Sequence, residues 1–287
     1  MGWREAVEGA LGVTVLRAEP VGGGCIAHAS RVETSGGAVF VKRGTGDVAR
    51  ALIAEAAGLR ELSAAGTSLV VPEPLALIEA PEAVLVLPWI ETGRPDAAAW
   101  NRFGIGMAEL HSHAVQRFGL KEDNYIGASE QENGWMADWP EFFLKRRILP
   151  QVALARSIGR WPARLDGALE RAVDRIARIL PDLARGRLLH GDLWSGNVMF
   201  SQHGRPVLID PAVYFGDPEA DVAMTRLFGG FDARWLAAYD DAAGGPPPNR
   251  EERHLAYNLY HLLNHLNLFG GGYQGSVEAS LREIGGR

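Results

Sequence analysis

The stretch Arg187–Phe200, RLLHGDLWSGNVMF, constrains the fold more than any other part of the chain. An apolar pair runs into His190-Gly191-Asp192, then Trp194, Ser195, Gly196 and Asn197, before the chain turns apolar again at Val198, Met199 and Phe200. Two short strand-like pieces flanking a polar loop present chemical groups at the edge of a core. Asp192 and Asn197 lie five residues apart, and Asp210 ends the apolar run Pro206-Val207-Leu208-Ile209, thirteen residues after Asn197. A hairpin between the two runs would bring all three side chains to one mouth. Two oxygen ligands and a nearby carboxylate suit Mg2+, a hard ion that takes one or two carboxylates and completes its shell with water and phosphate oxygens. Asp192 then remains free to accept a proton.

A chain of 287 residues, 47% of them hydrophobic, can bury a substantial core, and its length fits two ordinary domains or one two-lobed domain. The formal net charge of -6 and the absence of a dense Lys/Arg cluster argue against a nucleic-acid partner, because phosphate backbones demand a basic face. No apolar run approaches the ~20 residues of a spanning helix, the start lacks a signal-peptide pattern, and the expected compartment is the cytoplasm. The single cysteine, Cys25, has no internal disulfide partner.

The first hundred residues read as a small α+β lobe. Val13–Leu16, Ala29–Glu33, Ala38–Lys42 and Val84–Leu87 are short β-rich runs separated by Gly-rich turns, and from Asp47 to Gly66 the residues Leu52, Ile53, Ala56, Leu59 and Leu62 recur at helical spacing. Beyond PWIETGRP the pattern changes to long helices: Trp100–Val115, Trp139–Ile158, Leu165–Leu180, Glu219–Phe228 and Arg250–Leu268. The expected architecture is an antiparallel-sheet lobe with one main helix over residues 1–90 and a mostly helical lobe over 91–287.

Asp192, Asn197 and Asp210 resemble the protein-kinase catalytic loop: an Asp base, an Asn five residues on, and a second Asp on a following turn. His-Gly-Asp stands where protein kinases have His-Arg-Asp, and Asp210-Pro211-Ala212 where they have Asp-Phe-Gly; both departures resemble small-molecule kinases of the aminoglycoside phosphotransferase type. Without that Arg, no phosphorylation-controlled activation loop is expected. The first lobe fits the same order. Gly22, Gly23 and Gly24 form a turn suited to phosphates, and Lys42 follows the next strand. Glu55 lies mid-helix thirteen residues later, matching the kinase Lys–Glu pair. Pro88, Trp89 and Ile90 occupy the hinge, where a Pro88 carbonyl and an Ile90 N–H would hold adenine.

RFGLKEDNYIG, NGWMADWPEFFLKRRILPQV, HGDLWSGNVMF, LIDPAVYFGDPEADVAMTRLFGGF and LYHLLNHLNLFGGGY resemble the fructosamine kinase (ketosamine-3-kinase) family over essentially the whole chain. The resemblance implies ATP-dependent phosphorylation of the 3-hydroxyl of a free or protein-bound ketosamine, with Asp192 as base, Asn197 and Asp210 holding Mg2+, and Lys42 with Glu55 fixing the triphosphate. Trp194 is the first candidate for the sugar pocket, by stacking or cation–π contact, and His265 the second. Kinases of other hydroxylated amines, such as aminoglycosides or choline, and a silent kinase-fold scaffold are the alternatives.

Other residues have plainer expectations. His190 and Asp221 read as loop-bracing residues, His111 and His113 as packing or surface residues, and Trp135, Trp139, Phe142 and Phe143 as core. His261 and His265, four apart, lack a third zinc ligand. Arg146 and Arg147 read as a solvated face. Cys25, in the Gly-rich turn, is the candidate for a redox-sensitive thiol that would link a homodimer; otherwise the chain is a monomer.

Overall fold

Strand parity organises the N-terminal part of the molecule. The computed structural model describes residues 2–22 and 27–286 and begins with helix α1 (Trp3–Leu11) and strands β1 (Val15–Pro20), β2 (His28–Thr34) and β3 (Gly37–Gly44). Helix α2 (Asp47–Ala64), β4 (Ala76–Ile78) and β5 (Ala83–Pro88) follow, and the strands form one five-stranded antiparallel sheet in the order β1-β2-β3-β5-β4. Successive side chains of a strand point to opposite faces. Val39 and Val41 of β3 and Val84 and Val86 of β5 therefore pack with Val7 of α1. Phe40 of β3 and Ala83, Leu85 and Leu87 of β5 pack on the other face with Leu52, Ala56 and Leu59 of α2. Each Leu or Val fully buried in these layers contributes about 1.5–3 kcal/mol. Lys42 shares the parity of Phe40 and stands opposite Leu85, so its side chain is directed at α2.

The rest of the chain is mostly helical. Helix α3 (Ala97–Leu110) starts on Asp96, whose carboxylate accepts the Ala99 N–H at 2.7 Å. After β6 (Ala114–Val115) comes a hairpin, β7 (Asn124–Ile126) and β8 (Ser129–Gln131), then α4 (Trp139–Phe143), a π-helical turn over Leu144–Ile148, α5 (Leu149–Ser157) and α6 (Asp166–Ile179). Strands β9 (Gly186–Leu189), β10 (Val198–Phe200), β11 (Pro206–Leu208) and β12 (Tyr214–Gly216) precede α7 (Glu219–Leu227), α8 (Ala233–Ala243), α9 (Arg250–Phe269) and α10 (Gln274–Gly285). β9 lies between β6 and β12, and β10 pairs with β11. One core gathers Trp139, Phe142, Phe143, Ile176, Tyr257, Tyr260 and Val277 from α4, α6, α9 and α10. A second joins α3 to α8 through Phe103, Met107, Trp235 and Tyr239. No helix among the described residues is long and apolar enough to cross a membrane.

Several local readings need correction. The first strand starts at Val15 rather than Val13 and runs on to Pro20. α1, the β7–β8 hairpin, α8 and α10 stand besides the elements expected from the sequence. The run expected as one helix over Trp139–Ile158 is broken by the π turn. Pro150 has no N–H to donate to the carbonyl of Arg146, and that carbonyl accepts instead from Arg147 Nη1 at 2.9 Å. The insertion turns Arg147 inward: expected on a solvated face, it is fully buried. Its guanidinium lies 4.1 Å from the Tyr214 ring centroid and 4.8 Å from that of Phe142.

The α3–α8 contact supplies a test. A Cβ on Gly104 would lie 2.2 Å from the Trp235 carbonyl oxygen and 2.8 Å from the Tyr239 nitrogen. Helix propensity favours Ala over Gly by about 1 kcal/mol, but forcing two helix backbones apart costs more, on the order of 3 kcal/mol. Gly104→Ala is therefore expected to lower the urea midpoint and thermal midpoint, whereas propensity alone would raise both.

Candidate active site

Lys42, carried by the central strand β3, meets α2 and the second half of the molecule at one point. Its Nζ donates to Glu55 Oε1 at 2.8 Å and to Asp210 Oδ1 at 2.5 Å. Burial alone would lower the pKa of this ammonium, but the two carboxylates outweigh burial and hold it charged well above its ordinary range. Burial pushes Glu55 upward against the pull of Lys42. Asp210 differs in exposure: 40% of its side chain remains accessible, against 13% for Glu55. One oxygen on Lys42 and an open flank leave this carboxylate able to take a further ligand.

The polar loop folds as its sequence pattern requires. After β9 the chain passes through His190–Trp194 and a 3-10 turn, Ser195–Asn197, into β10. The β10–β11 register, Val198 opposite Leu208, sets Asn197 beside Ile209, whose N–H donates to the Asn197 carbonyl at 3.1 Å. Asn197 Nδ2 then donates to the Asp192 carbonyl at 2.8 Å, to Asp192 Oδ2 at 2.9 Å and more weakly to the Asp210 carbonyl at 3.4 Å. Asp192, Asn197 and Asp210 are thereby gathered at one mouth. Burial, aided by the charges of Asp210 and Asp221 and opposed by the Asn197 hydrogen bond, pushes the Asp192 carboxyl up to about 7. A carboxyl poised there can accept a proton near neutrality.

Two backbone features make the arrangement specific. Gly191 has φ +82°, and a Cβ there would lie 2.0 Å from the Ala212 carbonyl oxygen, so this packing excludes a larger residue between His190 and Asp192. Asp210 has φ 52°, a left-handed conformation that a non-glycine residue holds only when its surroundings over-determine it. The neighbouring loop is braced by Asp221 of α7. Its carboxylate accepts the N–H of His190 at 2.7 Å and of Gly191 at 2.9 Å, and hydrogen-bonds with His111 at 3.2 Å. Burial works against its charge, yet the His111 hydrogen bond and the backbone donors hold the carboxyl below its ordinary range. His190 is buried, which lowers its pKa, and its Nε2 hydrogen-bonds with the Ile209 carbonyl at 2.9 Å. His111, expected as packing or surface, belongs to this brace and also hydrogen-bonds with the Tyr239 hydroxyl at 2.9 Å. Nothing local in the sequence signals that role, since its partner lies 110 residues away.

The remaining expected residues stand on other elements. Pro88 ends β5 opposite Val39, the Trp89 ring packs 6.2 Å from Phe40 with the Arg31 guanidinium 5.1 Å from its centroid, and Ile90 is half-buried. Trp194 is 40% exposed and lies across Gly196, where a Cβ would come within 2.3 Å of its ring. Next to it, Ser195 closes on Gly230. His265 sits among aromatic rings, 4.7 Å from Phe228, 5.0 Å from Tyr273 and 5.4 Å from Phe269 between centroids. Its Nδ1 hydrogen-bonds with the His261 carbonyl at 2.8 Å. Gly22 is described, and no atom of the described residues lies within 4 Å of where its Cβ would stand. Gly23, Gly24 and Cys25, and with them the expected phosphate turn and redox thiol, lie outside the described residues.

The donor set fits Mg2+. An accessible Asp210 carboxylate and an Asn197 amide are hard oxygen donors on adjoining turns. No cluster of three or more His, Cys, Asp or Glu suited to a metal occurs among the described residues. An ion completing its shell with water and phosphate oxygens does not require one.

Comparison with known proteins gives the family and the fold. The family model described as fructosamine kinase matches residues 5–285. A Synechocystis sp. protein named as a ketoamine kinase is 40% identical over 267 residues, covering 92% of this chain and 88% of its own. The chloroplastic protein-ribulosamine 3-kinase of Oryza sativa subsp. indica is 36% identical over 270 residues, covering 90% of this chain and 75% of its own. A solved Thermobifida fusca structure, assigned as a fructosamine-3-kinase, superposes with a TM-score of 0.88 at 30% identity, covering 98% of this chain and 97% of its own. The two-lobed, protein-kinase-like α+β fold expected from the order of the motifs is the fold present. Matched by the family's model along nearly its entire length, the chain belongs to the fructosamine kinase family.

Proposed function

We propose that the chain transfers the γ-phosphoryl group of ATP to the 3-hydroxyl of a ketosamine of the fructosamine or ribulosamine class. Membership of the family supports the reaction and substrate class. The observation that carries the assignment of residues is the convergence of Lys42, Asp192, Asn197 and Asp210 on one mouth. Asp192 orients the acceptor hydroxyl and takes its proton as the oxygen attacks the γ-phosphorus. The bond between that phosphorus and the β,γ-bridging oxygen breaks, and ADP leaves with the electron pair. Lys42, aimed by Glu55, meets the α- and β-phosphates. Mg2+, held by Asp210 and Asn197, supplies neutralisation of the phosphate charge when bound. Trp194 and His265 serve the sugar and its amine, and the Pro88–Ile90 hinge serves adenine. Most of the catalytic gain then comes from positioning and electrostatics, because phosphoryl transfer asks little covalent chemistry of the protein.

The test is ATP consumption over a panel of ribulosamines, fructosamines, choline and aminoglycosides, with the product analysed for loss of inorganic phosphate. A 3-phosphate of a 1-amino-2-keto sugar eliminates and frees the amine, whereas a phosphate beyond C4, which is not β to the carbonyl, stays. Turnover of ketosamines with amine release supports the reading; turnover of choline or aminoglycosides alone overturns it. Asp192→Asn is expected to lower kcat by on the order of 10³ while leaving ATP binding by calorimetry nearly intact. Because Asp192 must be deprotonated to act and its carboxyl sits at about 7, kcat/KM for the acceptor should fall as pH drops below about 7, a limb absent from the pH dependence of nucleotide binding. Trp194→Ala is expected to raise the acceptor KM roughly tenfold, consistent with a lost stacking or cation–π contact of about 1–2 kcal/mol, with the KM for ATP unchanged.

A further inference from the structure

The segment that follows Asp210 is gripped from outside the catalytic loop. Asn124 and Gln131 stand opposite each other in the β7–β8 register, and both are buried. Gln131 Nε2 donates to Asn124 Oδ1 at 2.8 Å and to the Ala212 carbonyl at 3.1 Å. Asn124 Nδ2 donates to the Val213 carbonyl at 2.8 Å. The next residue, Tyr214, lies under the Arg147 guanidinium, which in turn donates to Asn133 Oδ1 at 2.8 Å and to the Glu132 carbonyl. Asn133 Nδ2 closes the network on Asn124 Oδ1 at 3.0 Å, and the Tyr260 hydroxyl donates to Gln131 Oε1 at 2.8 Å. Three consecutive residues, Ala212, Val213 and Tyr214, are thus held by one polar network.

The outward residues of the same hairpin reach the other lobe. By strand alternation, Tyr125 and Glu130 face away from Asn124 and Gln131. Arg50 of α2 donates from Nε to the Tyr125 hydroxyl at 2.9 Å and lies 3.8 Å from Glu130. Further along α2, a Cβ on Gly58 would stand 3.2 Å from Pro211 and 3.4 Å from Val213. The hairpin therefore touches both the helix that carries Glu55 and the segment that carries Asp210. A buried amide left unpaired is costly, and here Asn124 Nδ2 and Gln131 Nε2 are paired with carbonyls of the segment itself, whereas Arg147 Nε has no partner among the described residues. The strained φ of Asp210 requires support of this kind.

We infer that the Asn124–Gln131 hairpin is a built-in clamp, with Gln131 and Asn124 as positioning residues that hold Asp210 and the Glu55 helix in their joined arrangement without an activation loop. This rests on the proposed role of Asp210 at the nucleotide, and the experiment separates the two. In the full-length protein, Gln131→Met removes the amide and keeps much of the volume. Amide hydrogen exchange over residues 209–214 is expected to accelerate roughly tenfold, the scale of one lost buried hydrogen bond. The half-saturating Mg2+ concentration is expected to rise and kcat to fall by a similar factor, with the acceptor KM within about twofold. Val277→Ala, a truncation in the core between α6 and α10, should lower the thermal midpoint without either effect. The clamp is refuted if Gln131→Met leaves exchange at 209–214 and the metal requirement unchanged, or if Val277→Ala shifts them equally. Should Gln131→Met fail to fold, Asn124→Ser, which loses the bond to the Val213 carbonyl, is scored by the same criteria. If the wild-type protein phosphorylates no ketosamine, the proposed function falls, while the exchange data alone still support or refute the clamp.

Discussion

A single buried ammonium decides how the two halves of this molecule meet. Lys42 belongs to the sheet, Glu55 to the helix on that sheet, and Asp210 to a turn 168 residues beyond Lys42. Without both carboxylates the desolvated charge would be expensive. With them the ammonium stays charged, and strand, helix and turn are tied to one position. The price is that the interaction is shared: each carboxylate is in place only because the backbone beneath it is, so the site depends on how β3, α2 and the β10–β11 hairpin are built.

Those three supports differ in kind. β3 is fixed by apolar layers on both faces of the sheet, and α2 by its contact with one of them. The Asp210 turn is flanked by buried Leu208, Ala212 and Val213, but Asp210 itself holds a backbone conformation that opposes it. Polar contacts make up the difference. Asp221 and His111 hold the loop that starts at His190 from below, the Ala212 N–H donates to the His190 carbonyl at 2.9 Å, and the buried amides of Asn124 and Gln131 hold the carbonyls on the far side. Hydrophobic burial positions the cation, and hydrogen bonding joins it in positioning the acid.

Much of this was legible in the sequence because the elements that carry it are local. A β-rich run ending in Lys42, a helical run with Glu55 at its centre and a polar loop between short apolar pieces each announce themselves within a few residues, and their order restricts how they can meet. The supports were not legible, for a physical reason. His111 and Asp221 are 110 residues apart, and Gln131 and Ala212 are 81 apart; neither pair leaves a periodic trace. Asn and Gln suit a loop surface as well as a buried network, so their type does not reveal their burial. Arg147 was misread because it follows Lys145 and Arg146 in what reads as a charged helix face, and only the missing N–H of Pro150 marks the defect that turns it inward.

That defect constrains the length of the chain as well as its chemistry. Removing one residue from Leu144–Ile148 would let the π turn relax to an ordinary α turn. The flanking helices α4 and α5 would keep their places, but the residues inside the turn would be re-aimed, carrying the Arg147 guanidinium away from Tyr214. Related chains can therefore vary the exposed side chains of this turn freely, but an insertion or deletion within it would unseat a cation more than sixty residues away in sequence from the aspartate it helps to steady.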